Sequence, residues 1–115
     1  MTIQEATPTV DLTVKTSEAP TGNMGQKLLI SGNAIALRLW DETPGDAEQK
    51  SAAARNYETL GYVLEGKAEL TIEGETITLT PGVSWAVPEG TKHSYKIIEK
   101  FRAVEATHPS ARGDG

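Results

Sequence analysis

The clearest alternation of apolar and polar positions falls in the middle of the chain. Ala68, Leu70 and Ile72 take every second place, with Lys67, Glu69, Thr71 and Glu73 between them. A period of two puts one set on each face of an extended strand, which predicts a half-buried β-strand over residues 67–73. Ile77 and Leu79 alternate with Thr76, Thr78 and Thr80, whose branching at Cβ suits a pleated surface. Residues 59–64, 83–87, 93–98 and 101–106 read the same way. Glu65-Gly66, Gly74-Glu75, Pro81-Gly82 and Pro88-Glu89-Gly90 break the runs as turns. Upstream, residues 27–30 are short and apolar, and Gly32-Asn33 is a turn pair. Residues 34–40 then place Ile35, Leu37 and Leu39 on one face of a strand. The count comes to about nine or ten strands, a rhythm that points to an all-β, closed double-sheet architecture.

The ends of the chain are different in kind. Residues 1–25 are polar and carry Pro8, Pro20, Gly22 and Gly25, an N-terminal arm in which Val10, Leu12 and Val14 predict one short edge strand. The barrel is expected over residues 26–107, and residues 108–115 read as a disordered polar tail. Within the barrel, residues 41–50 hold Pro44-Gly45 and several acids and are predicted to be an exposed loop. A helix over residues 46–55 is the competing reading, since Ala, Glu, Gln and Lys favour it. It ranks second because no apolar stripe recurs there at helical spacing.

Composition narrows the function. The chain has 115 residues, 37% hydrophobic and 23% charged, enough for one domain with a core. A net charge of -5 without a basic cluster argues against nucleic acid or an anionic membrane as partner. With no cysteine there is no disulfide, thiolate nucleophile or cysteine-held metal. Neither a secretory leader nor a membrane-length apolar run is present, so a cytoplasmic location is the expectation. No Gly-rich phosphate loop, Ser/His/Asp set or paired-carboxylate spacing stands out.

One motif does. Gly82, five residues, Pro88-Glu89-Gly90, two residues and His93 resemble the second motif of the cupin superfamily, with Ile97 where the family has Asn. Tyr62-Val63-Leu64-Glu65-Gly66 is similar to the end of the first motif, and the likeness covers residues 34–106. It implies a double-stranded β-helix, the jelly-roll cupin barrel, often dimeric, with a pocket at one open end. Metal-binding cupins carry His-x-His, three or four residues, then Glu, seven residues before the closing Gly. Counted from Gly66, the Glu place falls on Thr59, and the His places on Ala53 and Arg55, or on Ala52 and Ala54. His93 alone of four expected ligands remains, and a first-row metal needs about three or four converging donors. No metal and no cofactor are therefore expected. Glu58 is the nearest substitute, but a one-residue offset turns it to the other face unless a bulge intervenes.

In the register that the resemblance implies, Arg55, Tyr57 and Thr59 point into the barrel from one strand, and His93, Tyr95 and Ile97 from another. These residues, Ile97 apart, are the candidate ligand-binding set. Arg55 has a planar fork that pairs with a carboxylate, and a buried arginine wants such a partner, a ligand or an internal acid such as Glu58 or Glu105. His93, with Tyr57 or Tyr95, is the candidate acid/base group, because an imidazole titrates near neutral pH. Trp40 and Trp85 are read as core or interface residues. Three functions follow. The first is binding of a small polar or anionic organic ligand without a metal. The second is a metal-independent isomerase, epimerase or lyase acting through His93 and a tyrosine. The third is a metal-dependent oxygenase with unusual ligands. A homodimer is also expected, with the arm and Trp40 offering apolar surface.

Overall fold

The computed structural model describes residues 12–45 and 52–111. Among these are six strands: β1 Lys27–Ser31, β2 Ala36–Glu42, β3 Glu58–Ile72, β4 Glu75–Leu79, β5 Ser84–Val87 and β6 His93–His108. All pairings between them are antiparallel, in the order β1-β2-β6-β3-β4, with β5 on β3. A single turn of 3-10 helix, Thr16–Glu18, precedes them. The protein is all-β, as the alternation predicts.

The strands are fewer and longer than expected. Glu65-Gly66 is not a turn but an irregularity inside β3, where the pairing with β6 shifts between Val63 and Ala68. Gly66 lies at φ +86°, and a Cβ there would run into the backbone of Lys100 and Phe101. Only glycine allows the chain this hand and this closeness, so the strand bulges and bends instead of ending. The expected strands over residues 93–98 and 101–106 are likewise one strand, β6. Either side of the bend, β3 keeps β6 on one edge but exchanges β5 for β4 on the other. The two halves face each other: Val63, Trp85, Val87 and Ala103 from one pack in a single cluster with Ala68, Leu70, Leu79 and Ile97 from the other. That is a jelly-roll core formed by two long bent strands.

The β3–β4 hairpin closes on Glu73-Gly74, one residue earlier than the sequence suggests. Both residues have positive φ, 50° and 82°, and Ile72 pairs with Glu75 beyond them. This is the two-residue turn whose twist matches paired strands. Other corrections lie at the edges. Leu12–Val14 form no strand and Leu12 is exposed, while Val10 and Asp11 lie outside the described residues. Asp41 and Glu42 belong to β2, not to a loop, and residues 46–51, with most of the alternative helix, lie outside the described residues. Within the expected tail, Ala111 is buried and donates its N–H to Thr107 Oγ1 at 3.0 Å, and residues 112–115 lie outside the described residues.

The largest correction concerns β2. Ile35, expected inside, is 54% exposed, whereas Ala36, Arg38 and Trp40 are buried. The row that enters the barrel is therefore the one containing an arginine. Leu39 is buried too, from the opposite face of the strand.

Candidate functional site

One end of the barrel holds a cavity of about 70 Å³. All five predicted site residues, Arg55, Tyr57, Thr59, His93 and Tyr95, line it. So does Ala53, while Ala52 and Ala54 are exposed, which selects the shorter of the two motif spacings. The four places where metal-binding cupins keep their ligands thus converge here as Ala53, Arg55, Thr59 and His93.

The backbone fixes this convergence. Ala53 N donates to His93 O at 2.9 Å and His93 N to Ala53 O at 3.0 Å, stitching the segment before β3 to the start of β6. Gly90 N donates to Arg55 O at 2.8 Å, tying the same segment to the Pro88-Glu89-Gly90 turn. Arg55 is pinned from both sides. Alternation along the chain then buries Tyr57 and Thr59 and leaves Glu58 exposed between them. Glu58 does not reach the cavity.

Neither expected acid pairs with Arg55. Glu105 is taken by Arg38, whose Nε donates to Glu105 Oε1 at 2.8 Å, and both side chains are almost wholly buried. Arg38 Nη2 also donates to Tyr57 Oη at 3.3 Å, and the guanidinium lies 5.2 Å from the ring centres of both Trp40 and Tyr57. Burial works against the Arg38 charge, but Glu105, followed by Tyr57, outweighs it and holds the guanidinium pKa above its ordinary value. Arg55 has a weaker partner, Met24: its Nη2 donates to the thioether Sδ at 3.6 Å. Among the described residues no carboxylate lies within ion-pair reach of Arg55.

Met24 reaches this place through a short stitched turn. Gln26 is fully buried; its Oε1 accepts from Met24 N at 2.9 Å, and its carbonyl accepts from Gly22 N at 2.7 Å. A Cβ on Gly22 would collide with the Gln26 amide, so the turn needs glycine there. The end of the arm is thus part of the cavity wall. Met24 and Arg38 are lining residues that sequence reasoning left out of the site, whereas Glu105 was expected as a partner of Arg55 and pairs with Arg38 instead. Neither Met24 nor Arg38 had a local signal in the sequence.

His93 and Tyr95 sit side by side, rings edge-on with centres 5.5 Å apart. His93 Nδ1 lies 3.0 Å from Thr91 O, and a carbonyl can only accept. Nδ1 therefore carries the proton of the neutral ring and Nε2 the lone pair. Tyr95 Oη accepts from Trp85 Nε1 at 3.0 Å, keeping its own O–H as a donor. Burial, reinforced by the Glu105 charge, pushes the Tyr95 hydroxyl well above the usual phenol range. It stays protonated, with its O–H available as a hydrogen-bond donor. Trp85 itself crosses over Gly61, its partner across β3 and β5, where any side chain would strike the indole. Trp40 is buried in the cavity wall and offers no exposed apolar surface.

A transition-metal ion does not fit this set. Among the described residues no three His, Cys, Asp or Glu side chains gather to hold one. Of the donors lining the cavity, Glu105 is bound to Arg38, and two guanidinium groups share the space with His93.

The jelly-roll topology, the pocket at its open end and the two motifs, one ending on β3 and the other running through β5 to the start of β6, define a cupin barrel. The cupin domain family matches residues 39–106, more than half the chain, and the protein belongs to that family. Among solved structures it is similar to an RmlC-like cupin from Shewanella frigidimarina NCIMB 400, with a TM-score of 0.72 and 17% identity, covering 86% of this chain and 91% of that one. The cupin domain of Schizosaccharomyces pombe Cnp3 gives a TM-score of 0.71 and 17% identity, over 85% of this chain and 74% of that one. At such identities the likeness shows the fold alone. A curated relative, acetate kinase EutQ of Clostridioides difficile (strain 630), is 26% identical over 55 residues, 48% of this chain. The match spans only 35% of that protein's length. No helix among the described residues is long and apolar enough to cross a membrane.

Proposed function

We propose that this cupin binds a small organic anion in its barrel, with Arg55 supplying the positive charge where metal-binding cupins hold a metal. The observation that carries the reading is the place and state of Arg55. It occupies a ligand position beside His93, its backbone is pinned, and its side chain rests on a thioether. Sulfur is a weak acceptor, so a carboxylate that displaces Met24 gains a charge-assisted pair of hydrogen bonds. The cation attracts the groups that a metal would attract, without polarising them as a Lewis acid.

An acid/base enzyme is the second reading, and it rests on the free lone pair of His93 Nε2 beside the Tyr95 donor. It is the weaker of the two. Among the described residues His93 bonds the Thr91 carbonyl and not a tyrosine.

Calorimetric titration with simple carboxylates tests the reading. Arg55→Ala is expected to weaken the bound anion by roughly 2 to 5 kcal/mol, the range for removing one partner of a buried charge pair. Arg55→Lys recovers part of that, since an ammonium lacks the bidentate fork. An Arg55→Ala protein that binds as tightly as wild type refutes the reading.

A further inference from the structure

We propose that the anion is a short aliphatic monocarboxylate of three to five carbons, its carboxylate on Arg55 and its alkyl tail among the rings of the cavity floor. The inference rests on the anion reading above and is drawn from three independent properties of the cavity.

Charge comes first. Arg38 is neutralised by Glu105 at 2.8 Å, and Glu42, also in the lining, has an interaction of its own. Arg55 is the cation that no carboxylate of the described residues reaches. One unit of negative charge completes the site. A second carboxylate on the ligand would find no second unpaired guanidinium among the described residues of the lining, and burying it unpaired is costly.

The second property is the wall. The chain has two tryptophans, three tyrosines and one phenylalanine, and all but Tyr62 line this cavity, with Ile97 beside them. The polar atoms of these rings are partly spent on the protein itself. Trp85 Nε1 donates to Tyr95 Oη at 3.0 Å, and Tyr57 Oη accepts from Arg38 Nη2 at 3.3 Å. What remains facing the cavity is mainly carbon. A polyol acid would bury more hydroxyls there than the few unused polar groups, the Tyr95 O–H and His93 Nε2 among them, can partner, whereas an alkyl chain buries none.

Size is the third. An apolar cavity of about 150 Å³ in another protein holds one benzene, or six carbon atoms. In proportion, the 70 Å³ found here takes about three non-hydrogen atoms, the alkyl carbons of a butyrate-sized acid whose carboxylate stays at the mouth. Arg55 and Met24 are half-buried, whereas Tyr57, Ile97 and Phe101 are fully buried, so the charge sits toward the mouth and the tail points inward.

The test is a calorimetric series on the full chain with acetate, butyrate, octanoate, succinate and gluconate, each run on wild type and Arg55→Ala. Each buried methylene is expected to tighten binding about fourfold, so butyrate exceeds acetate by about fifteenfold and octanoate gains nothing further. Succinate and gluconate fall about tenfold or more below butyrate. Succinate or gluconate binding tightest, and lost in Arg55→Ala, would overturn the monocarboxylate and leave the anion reading standing. Failure of every acid to bind wild type, or equal butyrate affinity in Arg55→Ala, would overturn both. The ranking of the acids is read on wild type alone, and a urea midpoint of Arg55→Ala near that of wild type shows that the variant is folded for the Arg55 outcomes.

Discussion

Arg38 and Glu105 meet at 2.8 Å inside the barrel, both side chains nearly out of reach of water. Removing one partner leaves an uncompensated buried charge. Arg38→Met alone is therefore expected to lower stability by about 3 to 5 kcal/mol, and the Arg38→Met, Glu105→Leu double variant by less than either single change. Urea unfolding of the three variants checks this; a double variant worse than both singles contradicts it. Tyr95 makes a prediction in pH. Its folded-state pKa lies above the unfolded value of about 10, so its stabilising share is complete below that pH and is lost as the pH rises past it. The urea midpoint of wild type should fall above about pH 10 more steeply than that of Tyr95→Phe. Equal slopes would remove Tyr95 from the account. At this scale the site was legible where a motif fixed parity. His93 placed Tyr95 beside it, and Gly66 placed Thr59 and Arg55. Arg38 was not legible, because Ile35, Leu37 and Leu39 look like the inward row and an arginine looks like the outward one. Its burial depends on Glu105, far along the chain, and no local pattern carries that.

Element by element, the strands were visible and their ends were not. Alternation marks where a chain is extended, but a bend inside a strand and a turn between strands use the same residues. Glu65-Gly66 and Glu73-Gly74 both read as turns, and only the second is one. The difference is tertiary: at Gly66 the backbone of Lys100 and Phe101 passes so close that no side chain fits. Gly66→Ala is expected to cost about 2 kcal/mol or more, from the positive φ and the lost contact together. Gly74→Ala has open space around it and meets only the φ penalty, about 1 kcal/mol. Comparing the two by thermal unfolding separates crowding from backbone preference. A Gly66→Ala protein no less stable than Gly74→Ala would mean that β3 tolerates another course at its bend.

The whole molecule carries an outer apolar face that the sequence placed elsewhere. Leu60, Tyr62 and Leu64 project from β3 at 54%, 47% and 41% exposure, the period-two row opposite the core. Ala86 pairs with Leu60 on one side, and Ala106 and Val104 pair with Leu60 and Tyr62 on the other. Such a face is the surface we propose for a second copy, since Trp40 is buried. Leu60→Glu with Leu64→Glu should give a monomer by light scattering at micromolar concentration where wild type gives a dimer. A monomeric wild type would end that proposal. The central claim, an anion held by Arg55 at the place of a cupin metal, is tested most directly by a crystal structure of the protein grown with butyrate. The account predicts carboxylate density across the Arg55 guanidinium, Met24 displaced from it, and no metal on His93. Density for a metal ion ligated by His93, or a carboxylate bound away from Arg55, would contradict it.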